Sequence, residues 1–207
     1  HLVPAEGWQR SMLFPETGLP WRAPSPNMPD LEGARQYPGT CLFEGTNLSV
    51  GRGTDRAFQQ VGAPWIEGEA LAAAMTARVQ AGELAGVRFE PVRFTPRNPG
   101  DGKFGDTEVE GVRLVVTDPG AYDPARAGVL LVHEAREQAR ALARGTDGAP
   151  ASPDPWEWVA THFDRLAGTD RIRLGIEAGV DPLELMTSWD AELAAFEALR
   201  APHLVYR

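Results

Sequence analysis

The sequence predicts an α+β fold in which short mixed strands and about four helices are joined by long loops rich in glycine and proline. Three observations support this prediction. Hydrophobic residues make up 43% and charged residues 24% of the 207-residue chain, which are ordinary values for a domain with a buried core. The 22 glycines and 18 prolines are too many for a helix bundle and indicate shaped loops. Between these loops, the apolar spacing changes from alternation, typical of strands, to the three-to-four-residue spacing of helices.

Residues 1–66 form the loop-rich part of the predicted domain. Four prolines between Leu19 and Pro29 fix their own φ angles and push the residues before them toward extended geometry. This stiff segment either packs on the core or forms the wall of a groove, and the sequence favours neither. A turn at Tyr37–Gly39 then leads into a short apolar strand, predicted over Thr40–Phe43.

Residues 67–207 form the predicted α+β body. Good helix formers predict a helix over Glu67–Ala81, with a glycine just past its end. Alternating polar and apolar residues predict a strand over Val87–Phe94, and Pro91 indicates a sheet edge or a bulge. A second strand is predicted over Gly111–Asp118, and a long helix over Asp123–Arg144.

The last third of the chain is predicted to hold a polar loop, two helices and a terminal strand. The loop covers Thr146–Pro155, and the first helix covers Asp170–Ala178. Asp181 caps a longer helix, with proline at its first position and an acidic residue three positions after the cap. One face of this helix carries Leu185, Trp189, Leu193 and Phe196. Leu204–Tyr206 is expected to form a small strand.

Composition excludes several classes of function. The net charge is −9, arginines are scattered and lysine is almost absent, so neither nucleic acid nor an anionic membrane surface is an expected partner. No apolar run approaches the roughly 20 residues that span a bilayer. No Cys/His spacing suits a metal, and we expect no cofactor. The single cysteine, Cys41, is most simply a small buried residue, because a catalytic thiol would need a base that the sequence does not supply.

The stretch from Glu44 to Thr54 is the most informative part of the sequence. It combines a carboxylate, an amide, hydroxyls and a guanidinium with glycines that let backbone N–H groups approach a ligand. The spacing is that of neither a P-loop nor a dinucleotide fingerprint. A structural turn in which Glu44 and Arg52 pair with each other accounts for the composition equally well.

A series of motifs resembles the exo-acting β-N-acetylmuramidases, a bacterial family that long carried only an unknown-function label. The motifs are Ser25–Pro29, Tyr37–Thr40, Glu44–Ser49, Gly51–Thr54 and Gly62–Trp65. Two departures are visible. The family often has Arg-Pro-Phe where this chain has Arg-Ala-Phe at positions 56–58. A Cys and a His that are common between its two central strands are absent around positions 101–110.

The resemblance implies an enzyme that removes N-acetylmuramic acid from the non-reducing end of peptidoglycan fragments. Such enzymes have two halves, and this chain, 1–207, is similar to the C-terminal, cleft-forming half as a single domain. The main catalytic glutamate is then expected in a Rossmann-like N-terminal half, the partner of this domain. The start at His1 is neither an initiator methionine nor a signal peptide, so we expect sequence upstream. The resemblance suggests an extracytoplasmic location, periplasmic or secreted.

The resemblance also implies site residues in the informative stretch. Glu44 is the candidate auxiliary catalytic carboxylate. Arg52 suits the lactyl carboxylate of muramic acid, and Trp65 or Trp21 suits stacking on the sugar ring. The full set of predicted substrate-binding residues is Asn27, Asn47, Ser49, Arg52, Thr54 and Trp65. We expect Glu44, Asn47 and Arg52 to face one solvent-accessible concavity.

Two alternatives to a hydrolase half remain open from the sequence. One is a carbohydrate- or peptidoglycan-binding module that acts alone without catalysis. The other is a structural domain whose glycine-rich stretch is only a turn. If Glu44, Asn47 and Arg52 are buried and satisfied by the domain's own backbone, the turn interpretation holds.

Overall fold

A computed structural model describes residues 1–144 and 152–206. Within that part the chain has the predicted α+β architecture, with one three-stranded antiparallel sheet and seven α-helices. The predicted count of about four helices is therefore too low. The strands are β1 Gln60–Ala63, β2 Val87–Phe94 and β3 Val109–Val116. The helices are α1 Leu31–Thr40, α2 Gly68–Gln80, α3 Pro124–Arg144, α4 Ala160–Ala167, α5 Arg171–Glu177, α6 Pro182–Thr187 and α7 Asp190–Arg200.

The sheet has the strand order β1-β3-β2, so β3 is central and β2 is an edge strand. Pro91 lies in β2 opposite Val112 of β3, in agreement with the edge position that the sequence predicts. Where β1 meets β3, Gly62 stands opposite Gly111, and a Cβ added to Gly111 would lie 1.9 Å from the Val61 carbonyl oxygen. The close approach of β1 to β3 therefore requires glycine.

Helix α1 corrects the predicted turn and strand over residues 37–43. Asp30 caps the helix by accepting a hydrogen bond from the Gly33 amide at 2.8 Å, and a 3-10 helix, Cys41–Gly45, follows directly. Pro38 lies inside α1 although proline removes a helical donor. Helix α1 packs closely against α3 at Gly39. A Cβ there would lie 1.9 Å from the Pro124 carbonyl oxygen, so this packing requires glycine.

The rest of the chain differs from its prediction at four elements. The long helix predicted after Asp181 is two helices: α6 ends at Thr187, where the Ser188 hydroxyl donates to the Leu185 carbonyl at 2.6 Å, and α7 begins at Asp190. Strand β1 and helix α4 were not predicted. Leu204–Tyr206 is no strand, and a 3-10 helix, Ala201–His203, precedes it. Most of the predicted 146–155 loop lies outside the described residues.

The core lies between the sheet and helices α2 and α3, and the loop-rich segment contributes to it. Phe43, Leu48, Val50 and Phe58 are all at most 2% exposed and belong to the same apolar cluster as Leu130 of α3. In contrast, none of residues 1–32 is buried. The well-packed body of this chain therefore begins near residue 33.

Candidate functional site

The glycine-rich loop, residues 44–54, is held to the body at both ends. Thr46 forms an antiparallel bridge with Trp158, and Ser49 forms another with Gly62 of β1. A Cβ on Gly45 would lie 2.4 Å from the Phe163 Cα, so the loop starts in close contact with α4. These contacts fix the loop backbone, which gives its polar side chains defined positions.

Glu44 and Arg52 form an ion pair across the glycine-rich loop. Both recorded hydrogen bonds of the guanidinium, one from Nε at 3.1 Å and one from Nη2, reach the same carboxylate oxygen, Oε1. The guanidinium carbon also lies 5.0 Å from the ring centre of Phe58. The side chains keep 15% (Glu44) and 21% (Arg52) of their surface exposed, so the pair borders solvent.

Both polar groups of the Asn47 side chain are hydrogen-bonded to the protein's own backbone. Its Nδ2 donates to the Pro155 carbonyl at 2.8 Å, and its Oδ1 accepts from the Glu157 amide at 3.2 Å. The Asn47 amide also donates to the Glu157 carbonyl at 3.1 Å. The Asn47 side chain thus joins the loop to the segment that carries Trp156 while the residue stays partly exposed, and a concavity shared with Glu44 and Arg52 stays a prediction.

The hydroxyls of Ser49 and Thr54, which were predicted to bind substrate, form hydrogen bonds within the protein. Ser49 is fully buried, and its Oγ accepts from the Gly51 amide at 3.2 Å. Thr54 donates to the Gly51 carbonyl at 2.7 Å and accepts from the Gln60 side chain at 3.2 Å. Burial removes Ser49 from the residues that can touch a ligand directly, whereas Thr54 is only partly buried.

The predicted aromatic residues lie apart from the ion pair. Trp65 packs edge-on against Trp156 with ring centres 6.2 Å apart, and its buried indole nitrogen has no hydrogen-bond partner in the described part of the chain. Trp21 donates to the Pro29 carbonyl at 3.0 Å within the exposed N-terminal segment. Asn27 lies in that same segment, where its amide donates to Ser25 Oγ at 3.3 Å. No hydrogen bond, ion pair or ring contact joins Asn27, Trp21 or Trp65 to Glu44 or Arg52 among the described residues.

Lys103 is a feature of the loop that sequence reasoning missed. The only lysine of the chain extends from the turn between β2 and β3, and its Nζ donates to the carbonyls of Phe43 at 2.9 Å and Leu48 at 3.0 Å. A backbone hydrogen bond of 2.9 Å, from the Arg97 amide to the Gly53 carbonyl, also links the β2–β3 connection to the glycine-rich loop. The connection between β2 and β3 is therefore hydrogen-bonded to the glycine-rich loop through both Lys103 and Arg97.

Burial affects the titration of the groups around the ion pair. Desolvation lowers the pKa of Lys103, although Asp101 and Glu44 act in the opposite direction. Desolvation, and then the charge of Glu44, raise the pKa of Tyr37 and bring that of Cys41 to about 11. Cys41 is 7% exposed and stays a thiol at neutral pH, so the structure supports its interpretation as a buried core residue.

Among residues 1–144 and 152–206, no group of three or more His, Cys, Asp or Glu side chains is arranged to hold a metal ion. No helix in this part of the chain has the length and apolar character needed to cross a membrane.

Comparison with known proteins gives two family matches on this chain. Residues 35–206 match the family described as exo-beta-N-acetylmuramidase NamZ, C-terminal, and residues 1–32 match the corresponding N-terminal family. The change from one family to the other coincides with the start of the buried body near residue 33.

One curated relative and two solved structures are similar to the chain. The relative is the peptidoglycan beta-N-acetylmuramidase NamZ of Bacillus subtilis strain 168, 34% identical over 206 residues, which are 99% of this chain and 45% of the relative. The structures are two DUF1343 family proteins of Bacteroides fragilis, each 24% identical. Their TM-scores are 0.76 and 0.56, over 97% and 89% of this chain and 49% and 44% of theirs. The structures support the fold, and the chain spans about half the length of each protein.

Proposed function

Because this chain belongs to the exo-β-N-acetylmuramidase NamZ family and covers its C-terminal part, we propose that it forms one wall of the substrate cleft of a peptidoglycan hydrolase. The enzyme would remove N-acetylmuramic acid from the non-reducing end of peptidoglycan-derived glycans. The observation that carries the proposal is the 34% identity to the Bacillus muramidase over 206 residues. The location proposed is extracytoplasmic, periplasmic or secreted, where peptidoglycan is found.

The main catalytic glutamate is proposed to lie in a Rossmann-like N-terminal domain of the same enzyme. Glycoside hydrolysis usually needs two carboxyl groups, or one that acts with the acetamide of the substrate. Glu44 is the auxiliary candidate in this chain. The Oε1 of Glu44 accepts both hydrogen bonds from Arg52, whereas the Oε2 of Glu44 has no recorded hydrogen bond within the described residues. One carboxylate oxygen is therefore held in place while the other can face a ligand.

Arg52 is the proposed selector for muramic acid over N-acetylglucosamine. Muramic acid carries a lactyl ether whose carboxylate is ionised at neutral pH. The Arg52 Nε and Nη2 are taken by Glu44, but Nη1 has no recorded partner in the described part of the chain. A charge-assisted hydrogen bond from Nη1 would recognise the lactyl group at the exposed edge of the ion pair.

The test compares this chain with the two-domain protein on a chromogenic N-acetylmuramide. We expect turnover by the two-domain protein and no enzymatic rate from this chain alone. A chain that turns over the muramide alone would place the catalytic group inside it. A two-domain protein that binds glycan without hydrolysing it would favour the alternative of a binding module.

A further inference from the structure

Helix α7 has an apolar face that nothing in the described structure covers. Leu193, Phe196 and Leu199 are 52%, 55% and 70% exposed, and no residue of the helix is buried. Their spacing of three residues places them on one side of the helix. An isolated helix shorter than about 12–15 residues is marginally stable in water, so a helix of 11 residues with this face needs a partner.

The body of the domain holds the start of α7 through an ion pair of 3.0 Å between Arg171 of α5 and Glu192, but it leaves the apolar face exposed. A cavity of about 590 Å³ lies beside the first turn of α7, and its lining includes Trp189 and Leu193 together with Leu42, Val129 and Ile172 of the body. Of the apolar face, Leu193 lines this cavity, whereas Phe196 and Leu199 do not. The first turn of the helix thus borders a groove, and its later apolar residues are exposed.

Exposed apolar residues concentrate in the two terminal segments. Of the twelve large hydrophobic side chains exposed among the described residues, five lie in residues 2–19 and four in residues 193–205. These segments meet: Trp8 packs edge-on against Tyr206 with ring centres 4.6 Å apart, and Arg10 Nε donates to the Tyr206 carbonyl at 3.4 Å. Residues 1–32 are the ones that match the N-terminal family.

We propose that the apolar face of α7 and the adjoining groove are the docking surface for the N-terminal domain of the same enzyme. This inference rests on the proposed function, which supplies that domain. The occupant is chosen because the segment that matches the N-terminal family already lies against Tyr206, six residues after the end of α7 at Arg200. Monomeric proteins rarely leave contiguous apolar surface of this kind uncovered.

Amide hydrogen exchange in α7 tests the proposal. We expect residues 190–200 to exchange at least about tenfold more slowly in the two-domain protein than in this chain alone, because docking stops the helix from fraying. Replacing Phe196 and Leu199 with serine should abolish this protection in the two-domain protein. Leu174→Ser is the matched control, since Leu174 is a similarly exposed (49%) leucine on α5 and its loss should leave the protection intact.

Two outcomes would overturn the proposal. Equal exchange of α7 in the two-domain protein and in the chain alone would show that the N-terminal domain binds elsewhere. Protection that is already present in the chain alone and grows with concentration would show that a second copy covers the face. Muramide turnover measured on the same samples reports on the proposed function separately, so activity with an unprotected α7 would refute only the docking surface.

Discussion

Arg52 and Glu44 form an ion pair at the edge of the glycine-rich loop, where both side chains border solvent. The pairing was one of the two interpretations that the composition allowed, and the structure contains it. Both hydrogen bonds end on a single carboxylate oxygen, so the pairing leaves one guanidinium nitrogen and one carboxylate oxygen without a recorded partner in the described residues. Bracing of the loop and recognition of a ligand are therefore compatible roles for Arg52.

Arg52→Gln in the two-domain enzyme separates these roles. A charge-assisted contact is worth on the order of 1.5–3 kcal/mol, so we expect catalytic efficiency on a muramide to fall roughly ten- to a hundred-fold. Slow activity on an N-acetylglucosaminide should change much less, because that sugar has no carboxylate. An equal loss on both substrates would mean that Arg52 only braces the loop.

Lys103 shows why part of the site was not predictable. It lies 55 to 60 residues from the carbonyls that it contacts, and only the pairing of β2 with β3 brings it to them. Lysine suits this position because a compact ammonium can donate to several carbonyls around one point. Ser49 and Asn47 were predicted to bind a sugar, but their recorded hydrogen bonds lie within the protein. The Ser49 Oγ accepts from the Gly51 amide inside the loop, and the Asn47 Nδ2 donates to the Pro155 carbonyl outside it.

Lys103→Met tests this support. The carbonyls of Phe43 and Leu48 would lose their charged donor, and we expect the free energy of unfolding to fall by roughly 1.5–3 kcal/mol. Urea denaturation followed by tryptophan fluorescence measures the change. Lys103→Arg keeps the charge and should lose less. A methionine variant as stable as the parent would show that the hydrogen bonds contribute nothing net.

At the scale of elements, the sequence predicted those helices and strands whose bounds follow from local sequence patterns. Helices α2, α3 and α5 and strands β2 and β3 were found close to their predicted bounds. Local features mark them, such as good helix formers in α2, an apolar stripe in α3 and alternation in β2. Helix α1 was missed because Pro38 and Gly39 signal a turn, whereas Gly39 is required there by the contact with Gly128 of α3. Strand β1 was missed because all four of its residues are buried and show no alternation.

Arg136 of α3 joins α5 to the segment before α4. It donates to Glu177 at 2.8 Å and to Asp154 at 3.1 Å, and Trp158 also donates to Glu177 at 2.6 Å. Burial alone would raise the pKa of Glu177, but the hydrogen bonds from Arg136 and Trp158 outweigh it and lower the pKa to about 2. The carboxylate is thus stabilised in its ionised form in the folded protein.

Glu177→Gln should change how stability depends on pH. A folded pKa of about 2, below the ordinary 4.5, means that Glu177 stabilises the fold above pH 4.5 and loses this effect as pH falls toward 2. The variant should be less stable than the parent at pH 7, and the difference should shrink across that window. Urea denaturation at several pH values measures it, with the exposed Glu108→Gln as the control. A difference that does not vary with pH would contradict the assignment.

For the whole molecule, packing and family matches divide the chain at the same place. No residue in 1–32 is buried, and the segment matches the N-terminal family, whereas residues 35–206 match the C-terminal family and contain the core. Composition predicted a globular α+β chain but could not locate this division. Tryptophans and prolines like those in residues 8–29 occur both in cores and in loops. The sequence alone therefore does not assign this segment, whereas its exposure in the structure does.

Removal of residues 1–28 should therefore leave the stability of the body nearly unchanged. The truncation keeps Asp30, which caps α1, and removes only residues that are already exposed or partly exposed. We expect the free energy of unfolding to change by less than about 1 kcal/mol and the urea m value to stay the same, because little surface is newly exposed. Removal of residues 1–66 is the contrasting case, since it deletes β1 together with Phe43, Leu48 and Phe58 from the core. That chain should not unfold cooperatively. A large loss of stability in the shorter truncation would show that the N-terminal segment is part of the body and not an extension toward another domain.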